Sequence, residues 1–450
     1  MGRVLPAKKL LRRSFVNIEA KGNFKKVCVI GLGYVGLPTA AVIANHGIIV
    51  SGVDVDKKTV ETINKGKIHI IEPDLDIMVR DAVNMGNLHA ATSMEPADAF
   101  IIAVPTPVKE RNKPDLHYLE QAVQALAPVL NQGNLIILES TSPVGTTKKI
   151  SQWLSDARPD LKFPGFEKIP KSAQHDIYIA HSPERVLPGK ILIELVKNDR
   201  VIGGLTSSCG ERAKDLYSLF VTGTCHLTNA DTAELVKLAE NAYRDTNIAF
   251  ANEMSLVCDE LNIDIWDMID LANLHPRVNI LQPGPGVGGH CIAVDPWFIV
   301  HSAPEQTPLI QAARQVNNSK PDWVIKQALK ITNPLSTIAC LGLSYKSDID
   351  DLRESPAIRI VKKLAIEHPG QILVVEPNIS ELPLHLETED NIKYCLYDDA
   401  IKQAETVIVL TDHKEFKNID RGQLANKKII DTRGIWRKGK KIPTGTTNSS

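Results

Sequence analysis

The sequence predicts an α/β protein in which two doubly wound parallel-sheet domains are joined by a central helical section with a long spine helix. Three observations predict it. A short apolar run, Val27-Cys28-Val29-Ile30, meets a glycine cluster and then an apolar helix, as a buried parallel strand feeding a helix would. The stretch between Gly223 and Pro276 holds neither glycine nor proline, which suits an unusually long helix. After Pro334 the strand pattern of the opening returns in the same order.

The first lobe spans 25–222. Apolar runs at Ile48–Val55, Ala99–Val104 and Leu135–Leu138 continue the sheet, with helical stretches such as Tyr118–Leu130 between them, the alternation that builds a doubly wound sheet. The central section, 223–330, opens with Asp231 and Glu234 as an expected cap pair ahead of Leu235, Leu238 and Ala242. A helix of this length commonly serves as a spine or a subunit contact, so a homodimer through it is expected. In the third lobe, 331–440, Ile338–Ser344 matches Val27–Gly33, Ile372–Glu376 matches Val50–Asp54, Glu405–Asp412 matches Asp98–Pro105, and Lys428–Thr432 matches Leu135–Ser140. Each is a strand ending in a small or acidic residue, at the edge where open parallel sheets hold nucleotides. Residues 1–24 form a basic extension carrying Arg3, Lys8, Lys9, Arg12 and Arg13, and 441–450 a polar tail expected to be disordered.

Bulk properties narrow the function. The 450 residues, 43% hydrophobic and 23% charged, can build more than one core. A net charge of −1 gives no field for nucleic acid or an anionic membrane, so neither is expected as a partner. No apolar run approaches the ~20 residues of a membrane span, and no secretory signal opens the chain, so a cytoplasmic protein is expected. The seven cysteines are scattered without a close pair, which predicts reduced thiols and no metal site.

Gly31-Leu32-Gly33-Tyr34-Val35-Gly36 follows a strand and opens the helix at Pro38–Ala44, the context a dinucleotide fingerprint requires, so the first lobe should be Rossmann-like. Gly31 would allow the tight turn, Gly33 the approach of a pyrophosphate and Gly36 close helix packing, with the phosphates on a helix N-terminus. Asp54 ends the second strand, where a carboxylate accepts from a ribose diol and would repel a 2′-phosphate; NAD is therefore expected over NADP.

The densest unusual stretch is Gly284-Pro285-Gly286-Val287-Gly288-Gly289-His290-Cys291. Such glycine density is expected to let backbone N–H groups crowd a ligand and to expose the thiol that follows. A thiolate can capture an aldehyde as a thiohemiacetal, which loses a hydride to become a thioester open to water. An ordinary thiol is only ~3% ionised at pH 7, so Cys291 needs a cation; His290, Lys237 and Arg277 are the candidates. Lys237, Asn241 and Arg244 lie along one stripe of the spine helix. Glu184, in His181-Ser182-Pro183-Glu184-Arg185, and Asp295 add carboxylates that can act as bases.

Together with Val-Pro-Thr-Pro at 104–107, Ser-Thr-Ser-Pro-Val-Gly-Thr-Thr at 140–147 and Asp-Leu-Arg-Glu-Ser at 351–355, these motifs resemble the UDP-glucose/GDP-mannose dehydrogenase family over roughly Lys26 to Arg437. The resemblance implies an NAD lobe, a helical dimerisation section and a lobe for the UDP part of a UDP-sugar substrate. It implies Cys291 as nucleophile, Lys237 and Asp295 as groups that handle the alcohol proton through water, and Asn241 as an oxyanion donor. Thr141 with Glu184 would lie near the hydrolytic water, Thr106 and Thr141 near the cofactor, and Lys346 and Arg433 would hold the nucleotide-sugar. Arg185, Arg244, Arg277, Gly288 and His290 would complete the substrate contacts. His290, Val294, Pro183-Glu184-Arg185-Val186 and Pro188 depart from the UDP-glucose subgroup and resemble the branch that oxidises N-acetylated sugars, which leaves Glu184 as the candidate base for thioester hydrolysis.

Overall fold

The computed structural model describes residues 24–109, 112–165, 175–187, 189–289 and 291–437. The basic extension up to residue 23, the tail, Pro188 and His290 lie outside the described residues. The chain divides into two compact units, one of residues up to Glu240 with Trp297–Pro304, the other of Asn241–Pro296 with residues from Glu305.

The first unit carries β1 (Lys26–Ile30), β2 (Ile49–Val53), β3 (Leu88–Ala91), β4 (Ala99–Ile102), β5 (Leu135–Leu138), β6 (Tyr178–His181), β7 (Arg200–Gly204) and β8 (Cys225–Asn229). They form one sheet in the order 3-2-1-4-5-6-7-8, parallel except where β7 runs antiparallel to β6. The order reverses at β1 and β4, which makes the carboxyl edge of these two strands the crevice for a ligand. Alternation explains why the strands are apolar throughout. Val27 and Val29 face a cluster with Leu37 and Ala41, while Cys28 and Ile30 face another with Phe100 and Ile102. Each buried Val, Leu, Ile or Phe among them contributes about 1.5–3 kcal/mol relative to leaving it exposed.

The second unit carries β9 (Ile338–Leu341), β10 (Ile372–Val375), β11 (Ile392–Tyr394), β12 (Thr406–Val409) and β13 (Lys428–Asp431). All pairings are parallel, in the order 11-10-9-12-13, which repeats the 3-2-1-4-5 half of the first sheet. The duplication extends to hydrogen bonds. Gly31 N–H donates to Val53 O at 2.8 Å and Gly342 N–H to Val375 O at 2.8 Å, with both glycines at positive φ, +90° and +95°.

The spine helix runs over Ala230–Glu260. Its cap differs from the expected pair. Asn229 Oδ1 accepts from Thr232 N–H at 2.8 Å, whereas Asp231 pairs with Lys148 Nζ and Glu234 serves a different helix. The helix stops where Asn262 takes a left-handed conformation, φ +54°, and Ile263 N–H turns back to Cys258 O. Among the described residues no helix is long and apolar enough to cross a membrane, and no disulfide joins the described cysteines.

Candidate active site

The fingerprint loop is shaped by contacts that admit no side chain at two of its glycines. A Cβ on Gly31 would sit 2.7 Å from Ala103 O, and one on Gly36 would sit 1.8 Å from Gly31 O. At Gly33 nothing lies within 4 Å, so this glycine faces open space. Helix Gly36–Asn45 begins there without a side-chain cap, leaving N–H groups to meet an anion. Tyr34 and Val35 are half-buried beside it. Asp54 reaches back to the loop: its Oδ2 accepts Leu32 N–H at 2.9 Å and its Oδ1 accepts Asp56 N–H at 3.0 Å. The open cradle, the uncapped helix and the carboxylate fit a dinucleotide.

Next to the crevice, Thr106 Oγ1 donates to Thr141 O at 2.5 Å and Ser140 Oγ to Val104 O at 2.7 Å, so the segments after β4 and β5 are tied together. Glu234 then clamps the following helix, Thr146–Ala157. Its carboxylate accepts Gly145 N–H at 2.6 Å, Thr147 N–H at 2.7 Å and Thr147 Oγ1 at 2.6 Å. That contact fixes the first turns of the spine helix, where half-buried Lys237 lies one turn on.

After β6, Glu184 is buried, with Oε1 accepting Arg185 N–H at 2.6 Å and Oε2 lacking a hydrogen-bond partner. Arg185 is engaged by Glu240, Nη2 to Oε1 at 2.5 Å and Nε to Oε2 at 3.1 Å, which commits most of its fork to the spine helix. Fully buried His181 has no hydrogen-bond partner at either ring nitrogen, and burial pushes it down to about 3, so the ring is neutral. Behind Glu184 lies a group of residues that no sequence pattern pairs. Arg200 bonds Glu139 at 3.2 Å, and Tyr217 and Thr39 donate to the same Glu139 carboxylate. Glu139 directly precedes the Ser-Thr-Ser-Pro motif, a charged residue closing an apolar strand, which was the available signal.

In the second unit, Cys291 is exposed on a turn that opens helix Asp295–Ser302. Its carbonyl accepts Asp295 N–H at 2.8 Å, so the positive end of the helix dipole faces the turn carrying the thiol. Asp295 is buried at 3% exposure and accepts Asn241 Nδ2 at 2.6 Å. The structure thus brings Cys291, Asp295 and Asn241 together through one turn and one hydrogen bond.

The glycines before the thiol also have a packing purpose. A Cβ on Gly284 would meet Arg433 Nη1 at 2.7 Å, on Gly286 Pro356 at 3.0 Å, on Gly288 Glu354 O at 2.5 Å and on Gly289 the Tyr345 ring at 2.9 Å. They allow close packing of the loop against the 345–356 segment and Arg433. The Asp-Leu-Arg-Glu-Ser motif supplies that surface: Ser355 caps helix Pro356–Glu367, and Glu354 takes φ +52°. Arg433 donates from Nε to Leu410 O at 3.3 Å, and half-buried Lys346 follows Ser344. Arg244 and Arg277 are exposed.

A buried polar ladder, also invisible in the sequence, steadies the loop. Arg314 bonds Asp245 at 2.6 Å, Asn317 bonds Asp245 at 2.8 Å and receives Asn252 Nδ2 at 2.8 Å, and Asn252 Oδ1 accepts Gly284 N–H at 2.9 Å. Nearby, Asp348, His413 and Glu415 converge within 4.8 Å. However, His413 Nδ1 accepts Asp348 N–H at 2.9 Å, so its lone pair is taken and the group is not arranged for a metal.

Three family models match the chain: the NAD binding domain of the UDP-glucose/GDP-mannose dehydrogenase family over 25–221, its central domain over 231–319 and its UDP binding domain over 339–438. A UDP-N-acetyl-D-mannosamine dehydrogenase of Campylobacter jejuni is 56% identical, covering 90% of this chain and 99% of its own. An NDP-N-acetyl-D-galactosaminuronic acid dehydrogenase of Ralstonia nicotianae is 54% identical, covering 92% and 97%. Among solved structures, the UDP-N-acetyl-mannosamine dehydrogenase of Staphylococcus aureus superposes with a TM-score of 0.80 at 41% identity, covering 92% of this chain and 96% of its own. On motifs, fold and sequence alike, the chain belongs to the UDP-glucose/GDP-mannose dehydrogenase family.

Proposed function

We propose that the chain is an NAD-dependent UDP-N-acetyl-D-mannosamine 6-dehydrogenase, turning the C6 primary alcohol into the carboxylate of UDP-N-acetyl-D-mannosaminuronate for cell-envelope polysaccharide. Alcohol to acid removes four electrons, so each sugar consumes two NAD and one water. NAD, when bound at Gly31, Gly33, Gly36 and Asp54, accepts a hydride in each oxidation.

The observation that carries the reading is the exposed Cys291 thiol at the head of a helix whose first residue, Asp295, is buried and bonded to Asn241. Lys237 and Asp295, through water, take the alcohol proton as C6 gives up its first hydride, leaving an aldehyde. The Cys291 thiolate adds to the aldehyde carbon, and Asn241 supports the oxyanion of the resulting thiohemiacetal. Loss of a second hydride leaves a thioester. Water, oriented by Thr141 and Glu184, adds to its carbonyl, the C–S bond breaks, and the sulfur departs as thiolate while Glu184 receives the water proton. Lys346 and Arg433 hold the nucleotide, with Arg185, Arg244, Arg277, Gly288 and His290 around the sugar and phosphates.

The chain acts as a homodimer through the central helix, a reading supported by the exposed Tyr243, Phe250 and Val257, which recur every seventh residue. A cytoplasmic setting suits a working thiol and cysteines that form no disulfide among the described residues.

The second reading, the same chemistry on an N-acetylgalactosamine nucleotide, is favoured by the name of the Ralstonia relative. Epimers differ by one substituent's orientation, which pocket contacts decide. The test is NADH formation against a panel of UDP-sugars, with Cys291→Ser alongside. Two NADH per UDP-N-acetylmannosamine, with Cys291→Ser releasing no free acid, is the expected result. Preference for another sugar overturns the substrate, and normal multiple turnover by the variant overturns the thioester route.

A further inference from the structure

Two buried carboxylates share one buried cation behind the crevice. Arg200 is 5% exposed, with Nη1 3.2 Å from Glu139 Oε1 and Nη2 3.8 Å from Glu184 Oε2, while its guanidinium lies 4.4 Å over the Tyr217 ring. The first distance is a hydrogen bond and the second is not. Arg200 therefore leans toward Glu139, leaving Glu184 Oε2 buried and without a hydrogen-bond partner.

We propose that Glu139 is a positioning residue for Glu184, competing for Arg200 so that its own ionisation decides whether the guanidinium closes on Glu184 or is held away from it. The proposal rests on the reading of Glu184 as the hydrolytic base. With Glu139 ionised, Arg200 stays on Glu139 and Glu184 Oε2 keeps a lone pair that no donor engages. With Glu139 protonated, its pull weakens and Arg200 swings the short remaining distance to Glu184 Oε2, occupying the atom that must accept the water proton.

Among the described residues, the charged and titratable groups facing Glu139 are Arg200 from β7, Glu184 from the segment after β6, and Tyr217 from helix Ser207–Tyr217, whose OH donates at 3.3 Å; Thr39 of helix Gly36–Asn45 donates at 3.1 Å. Burial, aided by the charge of Glu184, pushes Glu139 up to about 7, with Arg200 opposing. The exchange therefore falls in the working range of pH, and thioester hydrolysis rises as pH climbs through it.

The experiment compares wild type with Glu139→Gln from pH 6 to 8.5, following steady-state NADH formation and, by intact mass after quenching, the covalent adduct on Cys291. Glutamine keeps the shape but is never charged, so Arg200 closes on Glu184 at every pH. The expected result is kcat lower by about tenfold at pH 8, adduct accumulating, the rise near pH 7 abolished, and KM for NAD unchanged. Tyr217→Phe removes a donor to the ionised carboxylate and shifts the rise to higher pH. Wild type that turns over beside a Glu139→Gln profile of the same shape overturns the inference alone. Wild type that forms no NADH with any UDP-N-acetylhexosamine overturns the functional reading instead. A uniform loss at all pH, with no adduct, shows a merely structural role.

Discussion

Lys320 sits in helix Pro308–Ile331 at 3% exposure, its ammonium bonded to Ser255 Oγ at 2.5 Å and 3.7 Å from the centre of the Trp323 ring. Burial drives its pKa from 10.5 down to about 7. The sign follows from proton binding: between those values the unfolded lysine holds a proton that the folded one has given up, so stability rises with pH across this window. Above 10.5 both states are neutral and the penalty vanishes; at or below 7 it is fully present. At 1.36 kcal/mol per pH unit, the span from 10.5 to about 7 sets a ceiling of roughly 5 kcal/mol on what the buried charge costs. Lys320→Met fills a similar volume without charge. It leaves no orphan, because Ser255 Oγ keeps its bond to Asn252 O at 2.5 Å. The variant is expected to be more stable than wild type at pH 7, by less than that ceiling because the Ser255 and Trp323 contacts are lost. The gain should shrink as pH approaches 10. Urea denaturation followed by circular dichroism at pH 7 and 9.5 measures the difference. A variant less stable at pH 7, or a gain equal at both pH values, would refute the argument that a desolvated ammonium is the source.

Two further substitutions probe the site. Asp54→Ala removes the carboxylate that accepts Leu32 N–H and would repel a 2′-phosphate; kcat/KM for NAD should fall while that for NADP rises, and an unchanged cofactor ratio would remove Asp54 from discrimination. Gly288→Ala sets a methyl 2.5 Å from Glu354 O, a clash that should cost about 1–3 kcal/mol and displace the Cys291 loop; slower alkylation of Cys291 by iodoacetamide with NAD affinity intact is the expected readout.

The strands of both sheets were readable because each is covered on both faces, which forces unbroken apolar runs such as Leu135–Leu138 and Ile372–Val375. The reversal at β7 was not, since β8 beside it mixes exposed and half-buried positions and carries no such run. Fingerprint glycines were legible from local geometry. The glycines before Cys291 were legible as a motif, but their packing partners were not, because Tyr345, Glu354 and Pro356 lie far along the chain. The same distance hid the ion pair of Glu139 and Arg200, 61 residues apart, and let Glu234 pass for a cap of its own helix.

The repeated lobe ends β10 with Glu376 where the first lobe ends β2 with Asp54. The longer side chain is saturated: Oε2 receives Leu343 N–H at 2.7 Å, Ser344 N–H at 3.0 Å and His413 Nε2 at 3.0 Å, while Oε1 receives Asn378 N–H at 3.1 Å. At 1% exposure it has no face left for a sugar hydroxyl. The repeat thus keeps an acid at this strand end but commits it to the protein itself, as an internal tie bar. Any nucleotide held by this lobe must be recognised by other atoms, and the two lobes differ in what they can tell about a ligand.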